Sequence, residues 1–258
     1  MTSFNWDLEA LIRLCNSQAL EYLAEGQQTE ALALLRKAES YFDHPTARTC
    51  EGTVKEELLG ITMTNLGGYY RQLEKHKVAL HYLTQGLAHH QSAKSNVKET
   101  ARTHIGLCAV YSAIGQHATA LTHVQAALDL LETRAEFPLE RAIAHHNKAT
   151  ELEHLGKLQD SMDAYAAGLE VASVHFPGQP LHIALKKGHN NVRRRYELWA
   201  EMANQRQKTR LSRRVPTHYS GTRALSGSRQ VKLPHLALSQ LRTASTSRRH
   251  EDSLSLRM

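Results

Sequence analysis

A pattern of small, large and aromatic residues returns four times along this chain at a near-constant interval. In each copy a small residue and an aromatic or apolar residue sit three apart, and a second segment follows with small, large, small. The clearest copy carries Leu66, Gly67 and Tyr70, then Ala79, Leu83 and Gly86. The next carries Leu107, Cys108, Tyr111 and Gly115, then Ala120, Val124 and Ala127. An earlier copy has Ala19, Tyr22 and Gly26, then Ala31, Leu35 and Ala38. A later one has Ala149, Leu152 and Gly156, then Ser161, Tyr165 and Gly168. The anchoring residues Ala31, Ala79, Ala120 and Ser161 are spaced by 48, 41 and 41 residues, by subtraction of their numbers. A minimal two-helix unit needs roughly 34, so the excess lies in helix ends and connectors. A fixed period of this length predicts a solenoid, because no single hairpin can bury its own apolar face and each must stack on a neighbour.

Within each copy the apolar residues recur three and four apart, the helical period. In the second copy this predicts burial of Ile61, Met63, Leu66, Gly67 and Tyr70 from the first helix, and of Val78, Ala79, Tyr82, Leu83 and Gly86 from the second. Gly67 and Ala79 let the two axes approach, while Tyr70 and Leu83 fill the space beside them. Gly26, Gly115 and Gly156 stand where a helix ends, a place that favours the left-handed conformation.

These residues resemble the tetratricopeptide repeat family over roughly residues 7–196. The long period, the connectors His44-Pro45 and His175-Phe176-Pro177, and the pair Asn190-Asn191 are similar to the extended repeats of kinesin light chains. The resemblance implies an all-α, right-handed solenoid of antiparallel helical hairpins, a superhelix of about four hairpins closed by a C-terminal capping helix. The sequence departs from the pattern in a long connector from Asp43 to Val54, in Ser161 where alanine is usual, and in Lys148 where leucine is usual. A less tightly packed fourth repeat is expected from the last two. In this family the first helices of successive hairpins line a concave groove. The helix phase of the resemblance would turn Arg13, Asn16, Asn65, Gln72 and Arg102 toward it, with His146, Asn147, Glu153, Lys187 and Asn191 further along. Asparagine can grip both the N–H and the C=O of an extended peptide. The clamp by which some relatives hold chaperone C-termini is matched here only by Asn65 and Arg102. Asn16, Leu20 and Gly106 occupy its other places, so chaperone-tail binding is disfavoured.

After Pro180 a segment from Leu181 to about Gln207 places Leu185, Val192, Tyr196, Trp199 and Met202 on one stripe, among Lys186, Lys187, Arg193, Arg194 and Arg195. This predicts a helix that caps the last hairpin. The other reading is a basic amphipathic helix for calmodulin or a membrane surface. The expected repeat domain is 7–206 and the expected tail is 207–258. The tail holds 11 Lys+Arg against 2 Asp+Glu, so it carries +9 and leaves the remainder at −2 of the chain's +7. Poor in bulky apolar residues and rich in Ser and Thr, it reads as disordered. Its distributed cations suit an anionic polymer such as RNA or a microtubule. Ser226 and Ser245 each follow an arginine by three, the spacing of basophilic phosphosites. Val231, Leu233, Leu236, Leu238 and Leu241 form a short apolar patch within it.

No chemistry stands out. Phosphate loops, His-Glu-x-x-His and paired Cys-x-x-Cys are absent from the sequence. His104 and Cys108 are four apart among 17 histidines, but a third and fourth ligand are not evident, so no metal and no cofactor are expected. The three cysteines are too scattered for a disulfide framework, and no apolar run is long enough for a membrane span. The first seven residues carry no secretory pattern. The expectation is therefore a cytoplasmic, non-enzymatic scaffold or adaptor binding a partner peptide or helix, without a small-molecule substrate. A cytoskeletal or ciliary adaptor is a sub-case. The alternative is a nucleic-acid- or microtubule-associated protein whose basic tail supplies the affinity.

Overall fold

The computed structural model describes residues 3–43, 52–93 and 96–212. Among them are nine α-helices and no strand. They are α1 (Ser3–Ala24), α2 (Gln28–Ser40), α3 (Gly52–Gln72), α4 (His76–Ala93), α5 (Val97–Ala113), α6 (His117–Leu131), α7 (Pro138–His154), α8 (Leu158–His175) and α9 (Pro180–Ser212). A 3₁₀ turn, Tyr41–Asp43, follows α2. The chain divides into two units at Val192/Arg193, inside the span of α9. The first unit is a TPR-like solenoid of four antiparallel hairpins, α1/α2, α3/α4, α5/α6 and α7/α8, with the first part of α9 laid against the last.

The turn inside each hairpin is the same object four times. A backbone N–H bonds the carbonyl five residues back: Gln27 to Tyr22 (2.8 Å), Lys75 to Tyr70 (3.0 Å), Gln116 to Tyr111 (2.8 Å) and Lys157 to Leu152 (2.9 Å). This bond and its partner three residues long close a helix through one left-handed residue. Gly26, Gly115 and Gly156 take that place with φ of 79°, 78° and 75°, as expected. In the second hairpin it falls to Glu74, with φ of 58°. The helices start on weaker local signals. Asn96 caps α5 by accepting the Lys98 N–H at 3.1 Å, and Pro138 opens α7 where a missing N–H costs nothing.

Packing follows the repeat. Ala31, Ala79, Ala120 and Ser161 are fully buried, as are Leu66 and Val124, and Leu83 is nearly so. A Cβ on Gly67 would sit 2.5 Å from Leu83 Cγ, so the α3/α4 crossing closes to a distance only glycine allows. The expected core of this hairpin needs correcting at its edge. Val78 is 38% exposed, and Ile61, Tyr70 and Tyr82 are half-buried. The two tyrosines instead stack at 5.4 Å, and Arg36 of α2 donates to both hydroxyls (2.8 and 2.9 Å). The fourth hairpin packs as fully as the others. Ser161 Oγ donates to the Ala149 carbonyl at 2.8 Å, which supplies the hydroxyl with the partner that burial demands.

The capping expectation holds in the first unit and changes beyond it. Leu181, Leu185 and Val192 are buried, and Gly188 lets α9 approach the Tyr165 ring. In the second unit Trp199 (39%) and Met202 (43%) are exposed, so they do not continue the buried stripe. Helix α9 runs on to Ser212. The tail from 213 on, with Ser226, Ser245, the 231–241 apolar patch and the proposed RNA or microtubule contact, lies outside the described residues. So does most of the connector between Asp43 and Val54.

Candidate protein-interaction surface

Successive first helices are joined by hydrogen bonds between buried side chains. Asn16 of α1 donates to Thr62 Oγ1 of α3 at 2.9 Å and accepts from Asn65 Nδ2 at 2.8 Å. Its Nδ2 also reaches the Ile12 carbonyl at 2.9 Å. The α3/α5 seam repeats the idea with Thr64 and Thr103, whose hydroxyls are 2.8 Å apart beside buried His90 of α4. The α5/α7 seam uses an ion pair, Lys98 to Glu140, at 3.4 Å.

This arrangement corrects part of the expected groove. Asn16 and Asn65 are each 4% exposed; Asn65 donates its amide N–H to the Asn16 side-chain carbonyl, and Asn16 donates to Thr62 and Ile12. They hold α1 against α3 and are not presented to a ligand. Sequence phase put them on the correct helices but could not show that two amides would meet 49 positions apart. The remaining expected residues lie at the surface or half-buried. Arg13 is exposed and pairs with Glu9 (2.9 Å) and Glu57 (3.7 Å). Arg102 is bonded to both oxygens of Glu99 (3.2 and 2.9 Å). Gln72 and Asn147 are half-buried, and Lys187 and Asn191 are exposed. Half-buried His146 meets the edge of the Tyr165 ring at 5.8 Å, and its Nδ1 is buried without a hydrogen-bond partner among the described residues. Desolvation holds its imidazole below the ordinary range. Glu153 accepts the Tyr165 hydroxyl at 2.9 Å.

One residue that the sequence reading passed over stands apart. Arg71 of α3 is seven residues, two turns, beyond Thr64, so it lies on the same side of the helix as the α5-facing threonine. It is half-buried and forms no hydrogen bond or ion pair among the described residues. Burial alone acts on its guanidinium and lowers its pKa. Its neighbour Gly68, a turn earlier, faces open space. A cation partly removed from water without a counter-charge is costly unless paired. The available sequence signal was weak: an arginine directly after the repeat tyrosine, in a helix whose other formally charged residues, Lys55, Glu56 and Glu57, lie in its first two turns.

The histidines resolve into packing pairs. His104 Nδ1 is 3.1 Å from His123 Nδ1, and His123 stacks on Tyr111 at 5.2 Å. Burial, with His123 beside it, pushes the His104 pKa down to about 4. Cys108 is fully buried and its thiol is pushed up by desolvation, away from metal-binding thiolate. His117 bonds the nearly inaccessible Glu151 carboxylate at 2.8 Å and stacks on His154 at 4.1 Å. His89 bonds Glu56 of α3 at 2.7 Å. Among the described residues no three His, Cys, Asp or Glu side chains are grouped to hold a metal, and no helix is long and apolar enough to cross a membrane.

No family model and no curated protein matches the sequence. Solved structures do match its fold. One is the crystal structure of a Podosopora anserina chain described as a kinesin light chain with nearly identical TPR-like repeats. It shares 17% identity at a TM-score of 0.56, over 79% of this chain and 95% of that one. A single-substitution variant of the same protein matches with the same identity and TM-score, over 94% of its length. The repeat period, the four-fold turn and these structural neighbours together make this chain a TPR-like helical repeat array.

Proposed function

We propose that the chain is a protein-interaction scaffold that receives an acidic partner segment on the surface formed by its first helices, with Arg71 at the centre of contact. The observation that carries this is the desolvated guanidinium of Arg71 with no counter-charge among the described residues. A carboxylate from a partner would complete it, and charge-assisted bonds of this kind contribute roughly 1.5–3 kcal/mol each. Gln72, Arg102 and Asn147 extend the polar surface. Repeat arrays work as binding surfaces, and the fold supports a scaffold in general terms.

The test is affinity capture with the full chain, its Arg71→Gln variant and its Lys37→Gln variant as an exposed control. Proteins retained by wild type and control but lost with Arg71→Gln, while the melting temperature is kept, support the reading. An identical set captured by all three chains overturns it.

A further inference from the structure

We propose that residues 193–212 of one copy seat in a cleft between α6, α7 and α8 of a second copy, so that two chains form a reciprocal dimer.

Two features that the first-helix surface does not use carry this. The first is the face of the C-terminal helical arm. At 100° per residue, Tyr196, Leu198, Trp199 and Met202 share one side of the helix with Arg195, Arg206 and Arg210. Glu197 and Glu201 fall on the opposite side. The result is an aromatic and aliphatic face whose only formal charges are positive. Leu198, Trp199 and Met202 are 52%, 39% and 43% exposed, so this face is left uncovered. In proteins most helical stability comes from packing an amphipathic face, and a grouped exposed apolar face marks an interaction surface.

The second feature is a cleft of about 760 Å³ in the first unit. Leu121 of α6, Leu152 of α7, and Ala164 and Ala167 of α8 give it an apolar floor. Asp129, Asp160 and Asp163 stand in its lining and are exposed. Lys148 is the single lysine or arginine there, so carboxylates outnumber cations three to one. Asp129 and Asp163 accept only from Gln125 and Gln159 of their own helices, and Asp160 has no hydrogen bond or ion pair among the described residues. The cleft is within the size range of sites that bury a compact group of side chains. An apolar floor under carboxylates fits an apolar face with arginines. Each chain has one arm and one cleft, so two copies satisfy both contacts with a two-fold axis and leave no open end.

Sedimentation velocity on the full chain from about 1 to 100 µM reads the result. The expectation is a dimer whose dissociation constant rises at least about tenfold from roughly 0.05 to 0.5 M NaCl, because arginine–carboxylate pairs are screened. Trp199→Ala should weaken it by a similar factor. The decisive arm uses two charge-reversed chains. One carries Asp160→Arg with Asp163→Arg, the other Arg195→Glu with Arg206→Glu. All four positions are exposed, so both chains should melt like wild type. Each alone should be monomeric, and their mixture should dimerise, since like charges meet in either homodimer and opposite charges meet twice in the heterodimer. A chain that stays monomeric throughout overturns the proposal. So does a dimer indifferent to these substitutions, or a mixture that fails to pair.

Discussion

Glu74 occupies the left-handed position that glycine holds in the other three hairpin turns, and replacing it with glycine should stabilise the array. Its φ of 58° lies beside 79°, 78° and 75° at Gly26, Gly115 and Gly156. The turn around it closes with the same bonds as its counterparts, Glu74 N–H to Arg71 at 3.0 Å and Lys75 N–H to Tyr70 at 3.0 Å. The side chain is exposed and has no hydrogen bond or ion pair among the described residues, so nothing offsets the strain. A left-handed residue with a Cβ costs about 1–2 kcal/mol. Glycine returns part of that through the greater freedom of its unfolded chain, about 0.5–1 kcal/mol. The net gain for Glu74→Gly is about 0.5–1 kcal/mol. For a domain of this size that is a rise in melting temperature of roughly 1–4 °C. Thermal and urea melts of the full chain, followed by circular dichroism, are sensitive enough. Gly115→Ala is the mirror control and should lower stability by about 1 kcal/mol. A Glu74→Gly chain that melts at or below wild type would show that the turn is not strained and that the repeat equivalence is wrong.

Other expectations follow from the packing. Gly67→Ala places a methyl 2.5 Å from Leu83 Cγ and should cost about 1–3 kcal/mol in urea unfolding; an unchanged midpoint would mean the α3/α4 crossing is looser than described. Ala120→Leu overfills a fully buried crossing and should cost a similar amount, about 1–3 kcal/mol, read by the same melts. His117→Ala strips the buried Glu151 carboxylate of its partner and should cost about 1–3 kcal/mol, whereas a neutral result would mean that water satisfies Glu151. Stability should also fall on acidification. The fold keeps His104 and His145 from protonating until about pH 4, mainly through burial, while in the unfolded chain they protonate near 6.5. Between those values the unfolded state binds more protons, so stability present above pH 6.5 is lost as pH falls toward 4. Urea midpoints at pH 7 and 4.5 should diverge for wild type and diverge less for a His104→Gln/His145→Gln chain, in which other buried histidines such as His146 remain; equal divergence in both would refute this origin.

The helical hairpins were legible because small residues recur at a spacing that only stacked helices explain. Ala79, Leu83, Ala120 and Val124 could be placed in the core from that period alone. The register between hairpins was not legible. It rests on contacts such as Asn16 with Asn65 and Thr64 with Thr103, each made between residues whose polarity suggests solvent. A helix phase tells which residues share a side, not which neighbour comes within hydrogen-bond reach. Arg71 was missed for the same reason, since its meaning lies in the partner it lacks among the described residues. The arm was misread in the opposite direction. Trp199 and Met202 continue the stripe of Leu185 and Val192 in sequence, and periodicity cannot say where the surface that receives a stripe stops.

The two kinds of joint between hairpins differ in stiffness. First helices α1, α3 and α5 are tied by side-chain hydrogen bonds, which tolerate little sliding or rotation before they break. At the α4/α5 joint the second helix meets the next hairpin through apolar contacts such as Leu83 beside Gly106, which change little over small displacements, whereas Arg36 of α2 and His117 of α6 bond across their joints. Bending between the second and third hairpins therefore pivots about the Thr64–Thr103 bond, like a vertebra pinned on one side and sliding on the other. Side chains along the pinned line keep their spacing as the array flexes. A partner that reads several of them at once then meets a ruler of fixed length, and the elastic work of accommodating it falls on the opposite side.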